Sequence, residues 1–164
     1  MKQYTKFNNI SGWAVFAIAA WVFLSTIEMT GSFWDCGEFI AAAYKLQIGH
    51  PPGAPLFLML SRIMTLFAGG NEASIPIMVN AFSAIMSAFA VLFTFWTITA
   101  IARKVVFTKN QEPTFSQILT VIASGVVGAL AFNFTDSFWF SAVEGEVYAT
   151  SQFFTCIVVW AVFK

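Results

Sequence analysis

Charged side chains are scarce in this sequence. Asp, Glu, Lys and Arg make up 10% of its 164 residues, whereas soluble domains carry about 25%. Eight basic and eight acidic residues cancel to a net charge of zero, which excludes the basic field that attracts nucleic acid. Cysteine occurs twice, as Cys36 in an aromatic-flanked loop and Cys156 inside an apolar run, so neither a disulfide framework nor a thiolate metal site is read. Histidine occurs once, and no glycine-rich phosphate loop, Walker motif, CxxC or HExxH is present. What is abundant is apolar surface. Hydrophobic residues reach 59%, with twenty Phe and six Trp, and mean hydropathy is +0.77. A chain of this size cannot bury that much apolar area in its own core, so lipid is the solvent for the surplus.

A spanning helix needs about 20 mostly apolar residues. Four runs qualify, at about 10–28, 75–102, 116–134 and 147–163. The second carries one amide, Asn80, and the third carries Gly125 and Gly128, which permit close helix contact. The fold class is therefore an all-α polytopic membrane protein of about four transmembrane helices. Lys2, Lys6, Arg103, Lys104, Lys109 and Lys164 fall on one side if both termini are cytoplasmic. The acids then sort without further assumption: Glu28, Asp35, Glu38, Glu72, Asp136, Glu144 and Glu146 lie outside and Glu112 inside. A signal peptide is the rival reading of the first run, but the Ala17–Ala19 cleavage-like pattern lies within the apolar stretch rather than after it.

The external loop 29–74 is long and patterned. Cys36 to Ile48 reads as a short helix, and Gly49 to Pro55 forces extended backbone. Leu56 to Ala68 is too short to cross. Leu56, Phe57, Leu60, Ile63, Met64 and Phe67 form one stripe at helical spacing, opposite Ser61, Arg62 and Thr65, which suits a helix lying in the membrane interface.

Three constellations can carry chemistry. Asp35 and Glu38 just beyond the first span are candidates for general-base work, although Asp35 followed by Glu38 also has the spacing of a capping box. His50 sits in a stiff Pro-Pro-Gly turn; such rigidity suits either a structural histidine or a positioned functional one. Glu144, Glu146 and Tyr148 reach the same membrane face, where helix-dipole stabilisation of the acids is the plain alternative. Arg62 either snorkels to headgroups or pairs with a phosphate. No residue is assigned as a metal ligand, though the external acids offer oxygen donors suited to Mg²⁺ or Mn²⁺.

The combination Trp34-Asp35-x-Gly37-Glu38, Gly49-His50-Pro51-Pro52-Gly53-x-Pro55-Leu56, Val79-Asn80-x-x-Ser83 and Trp139 with Glu144-x-Glu146-Val147-Tyr148 resembles the N-terminal part of the DUF2723 family. That family is grouped with GT-C-fold glycosyltransferases and includes large Bacteroidetes membrane proteins and a eukaryotic protein O-mannosyltransferase. The resemblance implies a GT-C-like domain over 1–164 as the first part of a longer chain, in a bacterial inner membrane. It also implies transfer of a mannose-like sugar from a polyprenyl-phosphate carrier to a hydroxyl of a protein or glycan acceptor on the extracytoplasmic face. By the same resemblance, Asp35 and Glu38 are catalytic, and His50, Arg62, Glu144, Glu146 and Tyr148 bind substrate. The carrier-linked sugar is a donor substrate, and the resemblance assigns no cofactor; a divalent metal is left open. The implied partners are the bilayer, carrier and acceptor, with no nucleic acid among them.

Two other classes compete. A transporter or channel subunit would use the external carboxylates as ion ligands, but it predicts ionisable groups within the spans. A non-catalytic assembly subunit needs no stiff histidine loop beside an acidic one.

Overall fold

The computed structural model describes residues 1–108 and 111–164, so Lys109, expected among the cytoplasmic cations, lies outside the described residues. Among the described residues seven α-helices follow in order: α1 Lys2–Ser25, α2 Cys36–Lys45, α3 Pro55–Thr65, α4 Ile75–Val106, α5 Phe115–Asn133, α6 Asp136–Val143 and α7 Val147–Phe163. Short 3₁₀ turns at Leu66–Ala68 and Glu72–Ser74 join α3 to α4, and no strand occurs among the described residues. Helices α1, α4 and α5 are each long and apolar enough to cross a membrane. The pair α6 and α7, bent by 116° at the break between them, is a fourth candidate if it counts as one broken span. The 17 residues of α7 lie at the short end of the spanning range.

Local chemistry sets most helix ends. At the start of α5, Thr114 and Gln117 form a reciprocal capping box: Gln117 N–H donates to Thr114 Oγ1 at 3.3 Å, and Thr114 N–H to Gln117 Oε1 at 2.9 Å. Prolines stand in the first turns of α3 and α4, where a missing N–H costs nothing. Arg103 and Lys104 occupy the last turn of α4, favourably placed on the helix dipole. The first helix starts ahead of the expected run at 10 and stops at Ser25, short of 28. There the Ser25 and Thr26 hydroxyls both turn back to donate to Val22 O at 2.9 Å.

Helix α4 is the axis of the bundle, its apolar window 61% buried against 28% for α1 and 22% for α5. Its Ala84, Ala88, Val91 and Phe95 form one core with Val15, Ala19 and Phe23 of α1, Ala129 of α5, and Phe138 and Ala142 of α6. Large apolar residues left outside, such as Trp21, Val105, Val127, Val158 and Val162, form the surface that a bilayer solvates. Gly125 shows why small residues are needed between helices. A Cβ there would lie 2.5 Å from Thr99 Cγ2 and 2.9 Å from Phe95 Cε2. Gly125→Ala is therefore expected to destabilise the protein by about 1–3 kcal/mol, seen as a lowered denaturation midpoint in detergent; an unchanged midpoint would mean that α4 and α5 separate freely.

The two ends of the bundle differ in charge. At one end the N-terminal amine pairs with Glu112, Tyr4 meets Phe107 edge-on at 5.1 Å, and Lys104 and Lys164 lie over Phe163 and Trp160. The lone acid expected inside is thus found beside the N-terminus. At the other end the 26–35 segment, α2, α3 and the α6–α7 corner come together.

One expectation for the 29–74 loop is corrected. Helix α2 ends at Lys45 rather than Ile48, because Leu46 turns left-handed (φ 50°) and closes it. The apolar stripe of α3 faces largely away from the protein, with Leu56, Ile63 and Phe67 exposed and only Phe57 of the stripe buried. Phe57 is buried with Leu58, Ser61 and Thr65, while Leu56, Met59 and Ile63 are exposed. The small polar residues face the protein because they allow close packing on the neighbouring helices, which leaves the larger aliphatic ones outward.

Candidate functional site

The site begins at Asn80, fully buried on α4. Its side-chain amide donates to Glu28 O at 2.7 Å and Thr30 O at 3.1 Å. Its Oδ1 lies 3.9 Å from Cys36 Sγ. One residue therefore anchors the 28–30 segment and the start of α2. Glu28 N–H also donates to Val143 O at 3.0 Å, tying the same loop to the end of α6. On the far side, a Cβ on Gly145 would lie 2.9 Å from Val79 Cγ1 and 3.0 Å from Asn80 Oδ1. Only glycine lets the corner close on α4. The result is that residues 28–36 and 144–146, distant in sequence, share one corner.

Asp35 precedes α2, but the capping role allowed by its spacing is not what it does. Its backbone is helical (φ −85°, ψ −4°) and its side chain makes no cap hydrogen bond, because an N-cap needs extended backbone for the side chain to reach round. Glu38 is likewise turned elsewhere. Its Oε1 accepts the His50 N–H at 2.7 Å, and its Oε2 lies 3.0 Å from His50 Nδ1. A Cβ on Gly49 would come within 3.2 Å of Glu38 Oε1, so the glycine before the histidine keeps this approach open. His50 Nε2 faces Asp35 Oδ2 at 3.7 Å. Asp35, Glu38 and His50 thus form a group whose ligand-type atoms lie within 4.8 Å of one another.

Beside them is a cavity of about 200 Å³ lined by Trp34, Asp35, Phe140, Ser141, Glu144, Glu146 and Tyr148. Glu144 is 3% and Glu146 5% exposed. Burial raises both carboxyls; Glu146, also repelled by Glu144 and Asp35, is pushed up to about 7. Trp34 stands 88% exposed at the cavity mouth with a left-handed backbone (φ 59°), a conformation costing a non-glycine residue about 1 kcal/mol. Tyr148 lines the cavity with its side chain mostly outward. Arg62 is engaged elsewhere: its guanidinium donates to Thr65 Oγ1 at 3.0 Å and lies over the Tyr44 ring at 5.4 Å. The structure thus brings Asp35, Glu38, His50, Glu144, Glu146 and Tyr148 to one corner and gives Arg62 partners on α2 and α3. Sequence reasoning passed over Asn80 and Gly145 as site builders, although an only amide in a long apolar run was a signal.

The Glu38–His50 contact has a defined pH window. Hydrogen bonds from His50 hold Glu38 below its ordinary 4.5, and the bond to Glu38 holds His50 above its ordinary 6.5. The glutamate's contribution is full above 4.5 and lost as pH falls through its lowered value. The histidine's is full below 6.5 and lost as pH rises through its raised value. In protein freed of divalent ions, hydrogen-exchange protection of the His50 amide, corrected for intrinsic rates, should therefore peak between pH 4.5 and 6.5. Flat protection across pH 4 to 8 would remove the tether.

Comparison with known proteins gives a consistent set. The family model described as the protein O-mannosyl-transferase TMEM260 N-terminal domain matches residues 35–164. Protein O-mannosyl-transferase TMEM260 of Mus musculus is 29% identical over 147 residues, covering 89% of this chain and 18% of that protein. Protein O-mannosyl-transferase tmem260 of Dictyostelium discoideum is 24% identical over 126 residues, covering 77% of this chain and 13% of that protein. The chain spans less than a fifth of the length of these relatives. No solved structure matches.

Proposed function

The chain belongs to the family of the protein O-mannosyl-transferase TMEM260 N-terminal domain, and from that premise we propose that it supplies the catalytic corner of a membrane mannosyltransferase. The donor in this reading is a polyprenyl-phosphate-linked, mannose-like sugar, the acceptor a hydroxyl on a protein, and the architecture that of a GT-C enzyme. The reaction face is extracytoplasmic, in a bacterial inner membrane, with both termini in the cytoplasm. The observation that carries the proposal is the meeting of Asp35 with Glu144 and Glu146 around one cavity at the acidic end of an apolar bundle.

The chemistry follows from the groups available. Asp35, half-exposed and free of any cap bond, takes the acceptor proton as the acceptor oxygen bonds to the anomeric carbon. The bond from that carbon to the phosphate oxygen breaks, and the electron pair leaves with the phosphate. Because the phosphate is a good leaving group, the protein's work is to orient the acceptor and balance charge. Glu38 sets the His50 ring against Asp35, and Tyr148 with Trp34 offers ring surface at the cavity mouth. The acids lie in loops at one end of the bundle rather than within the spans, which counts against a transport pathway.

The test is transfer by a family-length protein carrying this sequence, reconstituted in lipid nanodiscs with a serine/threonine peptide acceptor. Mannose is expected to move from polyprenyl-phosphate mannose and not from a nucleotide-linked mannose; the reverse preference would overturn the donor. A single cysteine placed at position 50, on a background without Cys36 and Cys156, should label from the extracytoplasmic side only. Labelling from the cytoplasm alone would invert the topology and move the chemistry to the other face.

A further inference from the structure

The basic end of the bundle holds a feature that sugar transfer leaves unused. Helices α1 and α7 each pack on α4 but scarcely touch each other, so a cleft with α4 as its floor runs between them. At the basic end this cleft holds a cavity of about 410 Å³, whose lining includes Asn8, Trp13, Trp96, Arg103, Trp160 and Lys164 and no acid. Arg103 and Lys164 form no ion pair with an acid among the described residues. Two polar atoms of that lining, Asn8 Oδ1 and Trp96 Nε1, are hidden from solvent and have no hydrogen-bond partner among the described residues. A second hollow of about 250 Å³ shares Trp13 and Trp96 with the first and is otherwise walled by apolar side chains, among them Met86, Phe89, Leu92 and Phe153.

We propose that this cleft binds one anionic glycerophospholipid, with its phosphate in the basic cavity and an acyl chain along the apolar hollow. Two cations without a counter-charge in the lining favour an anion, and the planar fork of Arg103 suits phosphate oxygens. The Trp96 indole N–H is a donor lacking an acceptor, which a phosphate or ester oxygen supplies. A Cβ on Gly12 would lie 2.7 Å from Trp96 Nε1, so the glycine makes room for that N–H on the side of α1 that carries Asn8. Turning the Asn8 amide presents its NH₂ group to the same oxygens.

The aromatic rings mark the level of the headgroup. Trp13 meets Trp96 at 6.1 Å and Trp96 meets Trp160 at 5.8 Å, which makes a row of indoles across three helices. Lys164 Nζ lies 4.7 Å from the Trp160 ring. Indoles favour the membrane interface, where the ring is apolar and the N–H is met by polar groups. From Met86 to Trp96, α4 rises about 15 Å, half of the ~30 Å hydrocarbon core and so the depth of one leaflet. A free phosphate would satisfy the cations and leave the hollow empty, whereas a lipid fills both. Basic pockets between spanning helices hold anionic headgroups in this way.

Lipid binding here does not depend on sugar transfer and is read without it. A family-length protein carrying this sequence, stripped of lipid in mild detergent, is titrated with phosphatidylglycerol or with phosphatidylcholine of the same chains and followed by native mass spectrometry. One phosphatidylglycerol per chain should be held about 10-fold or more tightly than phosphatidylcholine. Combined Arg103→Gln and Lys164→Gln should abolish the preference, and Arg103→Lys should keep it. Trp96→Phe, which keeps a ring and loses the N–H, should weaken retention several-fold. Lys45→Gln, an exposed cation at the other end, should leave it unchanged. Phosphatidylglycerol should raise the melting temperature of the parent and not of the double variant, and equal lipid-free melting of the two shows that the variant is folded. Glycerol phosphate, the headgroup without chains, should not displace the lipid; displacement at equal concentration would mean a free-anion site and overturn the lipid. Equal retention of both lipids would mean that another segment of the family-length chain fills the cleft. That result, an unchanged preference in the double variant, or an equal loss in Lys45→Gln would each overturn the site. Lipid preference without transfer would leave this site standing and remove the proposed function; transfer without lipid preference would do the opposite.

Discussion

Asparagine at position 35 is expected to cut sugar transfer at least ~100-fold, the scale of general-base loss, while leaving stability unchanged. The second half of this expectation comes from geometry. Had Asp35 capped α2, the amide would have capped almost as well, and a silent result would have been ambiguous. Asp35 makes no cap bond, so the substitution removes only charge and basicity. The measurement is the single-turnover rate of mannose transfer by the family-length protein, with detergent melting as the control. Glu38→Gln should lose less, because it acts through the His50 ring. Full activity in Asp35→Asn would end the catalytic assignment.

Asn80→Leu is expected to be the most damaging change away from the reacting groups. It removes both N–H donors from Glu28 O and Thr30 O and leaves those carbonyls without their buried partner, at about 1–3 kcal/mol. It also places branched methyl groups against Gly145, where a Cβ already has only 3.0 Å to Asn80 Oδ1. The external loop and the α6–α7 corner should then separate. Detergent denaturation should show the lost stability, and transfer should fall although no proposed reacting group has changed. Asn80→Asp, which keeps the shape and loses the donors while burying a charge, should do no better. Normal stability with normal transfer in Asn80→Leu would mean that the corner is held by something else.

The apolar runs were a sound guide to α1, α4, α5 and α7, because a spanning helix must be apolar along its length whatever it packs against. The sorting of acids from bases followed from side-chain charge alone, and Glu112 beside the N-terminal amine agrees with it. What could not be read were contacts that depend on the path of the chain. The carboxylate of Glu38 meets a histidine twelve residues on, and Asn80 reaches back across 52 residues to Glu28. Spacing pointed to a capping box at Asp35 because spacing says nothing of φ and ψ. The stripe on α3 was legible because beside a bilayer the residues that face the protein are the small ones, Ser61 and Thr65, while large apolar ones remain outside. Arg62 looked available for a phosphate until Tyr44 and Thr65 were seen to hold it.

The 116° turn at residues 144–146 also sets the rotational phase of the last helix. With Gly145 wedged against Val79 and Asn80, the chain leaves the corner at one azimuth, and α7 inherits it. At that azimuth Phe153 and Trp160 meet Phe93, and Cys156 meets Thr94, while Val158 and Val162 look outward. One residue more or fewer in the corner would rotate the whole of α7 by about 100°, swinging its aromatic ridge off α4 and its valines into it. The corner thus acts as an index mark for the helix beyond it, and its length is quantised.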